Sequence, residues 1–374
     1  MKRFIYADNA ATTQLDSDAF EAMKPYLLSK YGNASQPYSF SRAVKKALKE
    51  SRETIANCIG ATPEEVFFTS GGTESDNWAI KGSAFSDADK RATLTSMVEH
   101  HAILRACASI EQLGYPVAYL PVDSTGTVEP DLLSEWITDP TRLVSVMLAN
   151  NEIGSVQDIA TLAKIAHSHN ARFHTDAVQA VGHLEIDVKA LGVDMLSASA
   201  HKFNGPKGIG FLYIRKGTPL VAYASGGAQE FGMRAGTENI ASIVGMAVAL
   251  EKNCKQLQST RNHLISLEQQ LITALEACGI EFCRNGSQVR IPGNLSLSFP
   301  GRDGEALLHR LDLMGICVST GAACNSISTQ ISHVLQAIGL EENYARGTIR
   351  ISLGKNNTAK DVDFIVSALL KILR

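Results

Sequence analysis

Lys202 lies in "SASAHKFNGPKGIG", Ser197 to Gly210, between two runs that read as buried strands, "GVDMLSASA" and "GIGFLYIRK". An ammonium taken out of water between strands is costly unless it is paired. A desolvated lysine also has a pKa pulled toward neutrality, which suits a nucleophile or a Schiff-base former. A lone turn lysine is ordinarily a surface residue, so its neighbours have to decide. Three further polar clusters follow strand-like runs, at the strand ends where open α/β sheets bind ligands. "TSGGTESDN" follows "EVFF" and opens a helix, so Gly72 and Thr73 offer backbone N–H groups and a hydroxyl to an anion, most naturally a phosphate. "NNEIG" after "SVML" brings the amides of Asn150 and Asn151, and "HTDAVQ" after "ARF" brings Asp176 and Gln179. Ser199 and His201 accompany Lys202 itself.

A lysine to close a Schiff base, a carboxylate to keep a pyridine nitrogen protonated and an anion cradle at a helix start are together what pyridoxal 5'-phosphate requires. A fifth stretch, "STGAACNSISTQIS" from Ser319 to Ser332, is small and polar, a composition that suits a mobile active-site loop. It carries Cys324. Taken alone, a free cysteine reads as a small buried hydrophobe, and Cys317 in the apolar "LMGICVS" is expected to be one.

The elements that must position these residues are legible as a pattern. From about residue 16 to 215, short apolar runs alternate with amphipathic ones: "EEVFFTS" with "TESDNWAIKGSAF", "ATLTS" with "EHHAILRACASIEQLG", "TRLVSVMLAN" with "DIATLAKIAHSHN". Such alternation implies βαβ units and a mainly parallel sheet covered by helices. A proline-free stretch from Asn239 to Ala277 reads as one or two helices leaving that unit, and a mixed order of strands and helices follows. The expected architecture is therefore an α/β fold: a large domain over residues 14–255, and a smaller α+β domain made of 1–13 and 256–374 that carries the Cys324 loop.

Composition bounds the function. The 374 residues are 45% hydrophobic and 20% charged with a formal net charge of -3, which gives no support to nucleic-acid binding through a basic face. No apolar run approaches the ~18 residues of a membrane span, and the N-terminus lacks a signal-peptide core, so a cytoplasmic protein is expected. The seven cysteines form no C-x-x-C pair and no zinc spacing, and no metal site is expected.

The motifs "DNAATT", "FTSGGTESDN", "NNEIGSVQDI", "HTDAVQAVG", "SASAHKFNGPKGIG", "GGAQEFGMRAGTEN", "STGAAC" and "IRISLG" run from residue 8 to 354. In them the chain resembles the cysteine desulfurases of nitrogen fixation and iron–sulfur assembly. These are class V members of the fold-type I pyridoxal-phosphate enzymes, whose large domain carries a seven-stranded sheet. The resemblance implies that Lys202 forms the Schiff base and that His100, rather than His101, stacks on the ring as an acid/base. It also implies that Asp176 pairs with the pyridine nitrogen, that Gln179 meets the phenolic oxygen, that Asn151 sits near that oxygen and binds the substrate, and that Gly72, Thr73, Ser199 and His201 hold the phosphate. Thr237 of "RAGTEN" would reach the other subunit's phosphate in a homodimer. Arg350 would take the substrate carboxylate, with Asn33 nearby, and Cys324 would attack the sulfur of L-cysteine, leaving alanine and a persulfide for an acceptor protein. Iron–sulfur assembly, tRNA thiolation and DNA sulfur modification are the destinations such a family serves. Other class V enzymes, among them selenocysteine lyase, cysteine lyase and aminotransferases, share the cofactor site and are the alternatives. The chain departs from the family pattern in "NSISTQISHVL" after Cys324, in Ala322 and in "NASQPYSFSR".

Overall fold

The computed structural model describes residues 4–86, 89, 91–138, 140–320 and 331–374. Its centre is a seven-stranded sheet of β1 (Val66–Thr69), β2 (Ala92–Ser96), β3 (Val117–Leu120), β4 (Thr141–Ser145), β5 (Arg172–Asp176), β6 (Met195–Ser199) and β7 (Gly210–Ile214). The spatial order is β1-β7-β6-β5-β4-β2-β3. Strands β2 to β6 pair in parallel, while β7 runs against both β1 and β6. Helices cover the sheet, so β5 and β6 are buried along their whole length; β6 is built of small and apolar residues, as buried parallel strands are, whereas β5 carries Arg172, His174, Thr175 and Asp176. Their polar side chains are paired; Thr175 Oγ1, for example, donates to the Val146 carbonyl at 2.8 Å.

A second sheet is antiparallel, with β9 (Asn294–Ser298) between β8 (Cys283–Arg284) and β10 (Thr348–Ser352). It packs with the helices Gly304–Leu313 and Ala359–Leu373 around its own core, which includes Leu295, Leu297, Ile349 and Ile351. One helix of 38 residues, Ile240–Ala277, joins the two cores. Its first half buries Ile243, Met246 and Leu250 in the larger core, and its second half buries Leu264, Leu267, Leu271 and Leu275 in the smaller. At about 1.5 Å per residue it spans roughly 57 Å, so the stretch expected to give one or two helices is a single continuous one.

The N-terminal segment belongs to the smaller core, because Ile5–Tyr6 pairs in parallel with Ile316–Cys317. That pairing explains a departure from expectation. Cys317 is only half-buried, because alternation along the strand sends Ile316 and Val318 inward and turns Cys317 away. Cys107 is the fully buried thiol among the described residues.

Candidate active site

A cavity of about 610 Å³ opens where the ends of β1, β5 and β6 meet the N-terminal segment and β10. Lys202 ends a short 3-10 turn, Ala200–Lys202, directly after β6. Its Nζ donates to the carbonyls of Ala10 and Ala11 at 2.6 and 2.8 Å, so the N-terminal segment forms one wall of the cavity and fixes the amine. Gln179 Nε2 donates to the same Ala10 carbonyl at 2.9 Å, and His201 Nδ1 lies 3.1 Å from Thr12 Oγ1. "DNAATT" served the sequence reading as a landmark only; its Ala10, Ala11 and Thr12 line the cavity.

Asp176 is the last residue of β5 and 4% exposed. Burial pushes its carboxyl up to about 6, against the Val178 N–H on Oδ1 and the Lys202 ammonium, which both favour the anion. His100 caps the helix His101–Glu111 by accepting the Ala102 N–H on Nδ1 at 3.2 Å. Burial, then Lys202 and His333, hold its pKa down at about 4. The ring is neutral near pH 7 and, with Nδ1 accepting, its proton is on Nε2. His101 does not line the cavity; its ring lies 4.8 Å from that of His333.

The anion end is built from the start of the helix Gly72–Phe85, which no side chain caps, so its first N–H groups are free for a ligand. A Cβ on Gly72 would stand 2.6 Å from Val178 Cγ2 and 3.6 Å from Ser199 Cβ, filling the cradle. Gly210, opposite Ser199 in the sheet, must also lack a side chain, since a Cβ there would meet the Ala198 carbonyl at 2.4 Å and the Gly71 Cα at 2.8 Å. Thr73, Ser199 and His201 line this end together with Lys207, which reads from the sequence as a plain turn lysine.

Arg350 enters from β10 and is 4% exposed. One guanidinium nitrogen donates to Asp8 Oδ1 and another to the Asn151 carbonyl, while Nε has no partner among the described residues. Its backbone pairs in both directions with Ser319, which leads into the stretch carrying Cys324. On the far side of that stretch, Ser332 Oγ donates to Glu152 Oε2 at 2.5 Å and His333 Nε2 to the Glu99 carbonyl at 3.0 Å.

Not every expected residue converges here. Asn33 is not among the lining residues; its Oδ1 accepts the Ser35 N–H in its own turn. Thr237 is exposed and also away from the cavity, in a segment tied down by a two-point Arg234–Glu74 ion pair at 2.9 and 3.2 Å. Cys324 and Ala322 lie outside the described residues.

The residues present fit pyridoxal 5'-phosphate. An uncapped helix start with a glycine-sized hollow suits a phosphate, a buried carboxyl suits a ring N–H, and an amine stands between them. Comparisons with known proteins point the same way. The family model "Aminotransferase class-V" matches residues 5–365. The cysteine desulfurase IscS of Dictyoglomus turgidum is 47% identical, covering 100% of this chain and 95% of that protein. A solved "NifS-like protein" superposes with a TM-score of 0.94 at 37% identity, covering 99% of each chain. A structure of SspA in complex with cysteine superposes at 0.84 and 36% identity, over 95% of this chain and 100% of that one.

Proposed function

Because the chain belongs to the class V aminotransferase family and to its cysteine desulfurases, we propose that it uses pyridoxal 5'-phosphate to move sulfur from L-cysteine onto Cys324, with release of L-alanine. The observation that carries this reading is the convergence of Lys202, Asp176, the uncapped helix start and Arg350 on one cavity.

Bound cofactor supplies an electron sink for the substrate carbon, and the chain supplies the rest. Gly72, Thr73, Ser199 and His201 hold the phosphate, and Asp176 holds a proton on the ring nitrogen. Gln179 would hold the phenolic oxygen, with Asn151 near it and the substrate, and His100 would contact the ring as an acid/base, its proton on Nε2. Lys202 Nζ would hold the cofactor covalently and would be the base that takes the substrate's Cα proton. Arg350 binds the substrate carboxylate. The Cys324 thiolate attacks the substrate sulfur, the C–S bond breaks with its electron pair going to carbon, and protonation completes alanine. The thiol sulfur is oxidised to a persulfide as the substrate carbon is reduced, so the step balances with no outside oxidant.

The site reading extends to a homodimer in which Thr237 of one copy meets the phosphate of the other, consistent with a Thr237 that faces solvent in the single chain. Residues 14–255 form the larger unit of each copy and 1–13 with 256–374 the smaller. The persulfide would pass to a sulfur-acceptor protein, for iron–sulfur assembly, tRNA thiolation or DNA sulfur modification. No helix among the described residues is long and apolar enough to cross a membrane.

Replacing Cys324 with serine tests the reading. The variant is expected to keep the cofactor's visible band and its change on adding L-cysteine, and to form no persulfide, because a serine hydroxyl stays protonated and attacks sulfur poorly. Alanine release by the variant at the parent rate would overturn the assignment and favour a lyase-type elimination.

A further inference from the structure

Two aspartates face the catalytic cavity, Asp176 from the end of β5 and Asp76 from the first turns of the helix Gly72–Phe85. They are 4% and 1% exposed. Asp176 has compensation, the Val178 N–H and the field of Lys202. Asp76 has none of that kind: no ammonium or guanidinium pairs with it among the described residues. The nearest basic atom is His174 Nε2, 3.9 Å from Oδ1.

His174 carries no charge. Its Nδ1 and Nε2 are engaged by the hydroxyls of Ser145 and Ser197 at 2.8 and 2.9 Å, and burial keeps its pKa near 3. The Ser197 hydroxyl is also Asp76's hydrogen-bonding neighbour. Glu99 adds a third buried acid to the same surroundings, itself pushed up to about 8 by burial. Asp76 Oδ1 has no hydrogen-bond partner among the described residues. Two buried carboxylates, of which Asp176 alone feels the field of Lys202, cannot both ionise without a large cost, and burial, then the charge on Asp176, raise Asp76 well above the ordinary range.

We propose that Asp76 is a neutral carboxylic acid whose retained proton leaves Asp176 as the one anion beneath the ring nitrogen. Asp76 is thus a positioning residue that acts through Asp176. Were Asp76 ionised, its charge would drive the proton onto Asp176, and a neutral Asp176 could not hold the ring nitrogen in its protonated form. The inference rests on the assignment of Asp176 given above.

Infrared difference spectra of the full-length holoenzyme near neutral pH test it. Wild type minus Asp76→Asn is expected to show the loss of one protonated-carboxyl C=O band that shifts in D2O. Wild type minus Asp176→Asn is expected to show the loss of carboxylate bands instead. Glu99 and Glu152 contribute acid bands of their own, which cancel in both differences. Loss of carboxylate bands in Asp76→Asn, or of the acid band in Asp176→Asn, overturns the proposal. If Asp76→Asn does not fold, wild-type protein labelled with carboxyl-13C aspartate answers the same question, with one aspartate resonance at a protonated position expected. An Asp176→Asn variant with an unchanged cofactor spectrum would sink the ring-nitrogen assignment while leaving the protonation of Asp76 standing.

Discussion

Arg350 grips Asp8 with one guanidinium nitrogen at 2.7 Å and the Asn151 carbonyl with another at 2.9 Å. A planar guanidinium can hold two partners and still present a donor edge to a carboxylate, whereas an ammonium is a compact point charge. Arg350→Lys is therefore expected to raise KM for L-cysteine at least tenfold, equivalent to about 1.4 kcal/mol, and to leave cofactor retention unchanged. Steady-state kinetics beside cofactor absorbance check both halves.

Borohydride reduction followed by peptide mapping is expected to place the pyridoxyl label on Lys202, the amine held by the Ala10 and Ala11 carbonyls. Lys207 also lines the cavity but sits exposed at its edge. A label on Lys207 would reverse the two roles. Lys202→Ala should lower turnover by roughly 10²–10⁴ or more, the scale of a lost general base together with a lost attachment point.

Thr237→Ala is expected to weaken cofactor retention roughly 10- to 150-fold with little change in thermal stability, since the proposed arrangement loses one hydrogen bond to a charged group, about 1.5–3 kcal/mol. Arg234→Met, which releases the same segment from Glu74, should do likewise. Sedimentation would show the loaded wild type as a dimer; a fully active monomer would contradict the shared-site arrangement.

Glu99 gives a pH prediction. Burial raises its pKa from 4.5 to about 8, against the Ser96 hydroxyl and the Met147 N–H that favour the anion. The folded state binds the proton more tightly than the unfolded one, so Glu99 lowers stability progressively as pH climbs from about 4.5 to about 8. Glu99→Gln cannot titrate. Its unfolding free energy should fall less steeply than the wild type's across that window, by an amount on the order of a few kcal/mol at most. Denaturant unfolding at several pH values reads the slope, and parallel slopes would show that Glu99 does not titrate there.

Residues tied to a strand end were the easiest to read from the sequence. Asp176, Ser199 and Lys202 each follow an apolar run, and an open α/β sheet places such positions at the ligand whatever the rest of the chain does. The Gly72 cradle was legible only together with the other clusters, because a Gly-Gly-Thr turn opening a helix is by itself more often a plain cap than an anion site. Contacts across the chain were not legible. Asp8 meets Arg350 over 342 positions, and neither residue's neighbours announce the other. Asp76 was invisible in a different way: within "TESDN" it looks like any first-turn acid, and only the packing of the helix against β5 and β6 reveals an acid with no counter-charge. Cys317 shows the converse error, since an apolar neighbourhood does not say which way one side chain in an edge pair points.

The backbone pairing of Ser319 with Arg350 sets a limit on delivery. Cys324 is five residues beyond Ser319 and seven before Ile331, and an extended chain gains at most about 3.6 Å per residue. Its Cα can therefore stray no more than roughly 18 Å from the first post and 25 Å from the second. Arg350, proposed to seat the substrate's carboxylate, is thus also the backbone partner of the post from which that segment leaves. If Cys324 carries the sulfur, as proposed, its acceptor has to approach within that radius of Ser319, and the surface inside it selects who receives the sulfur.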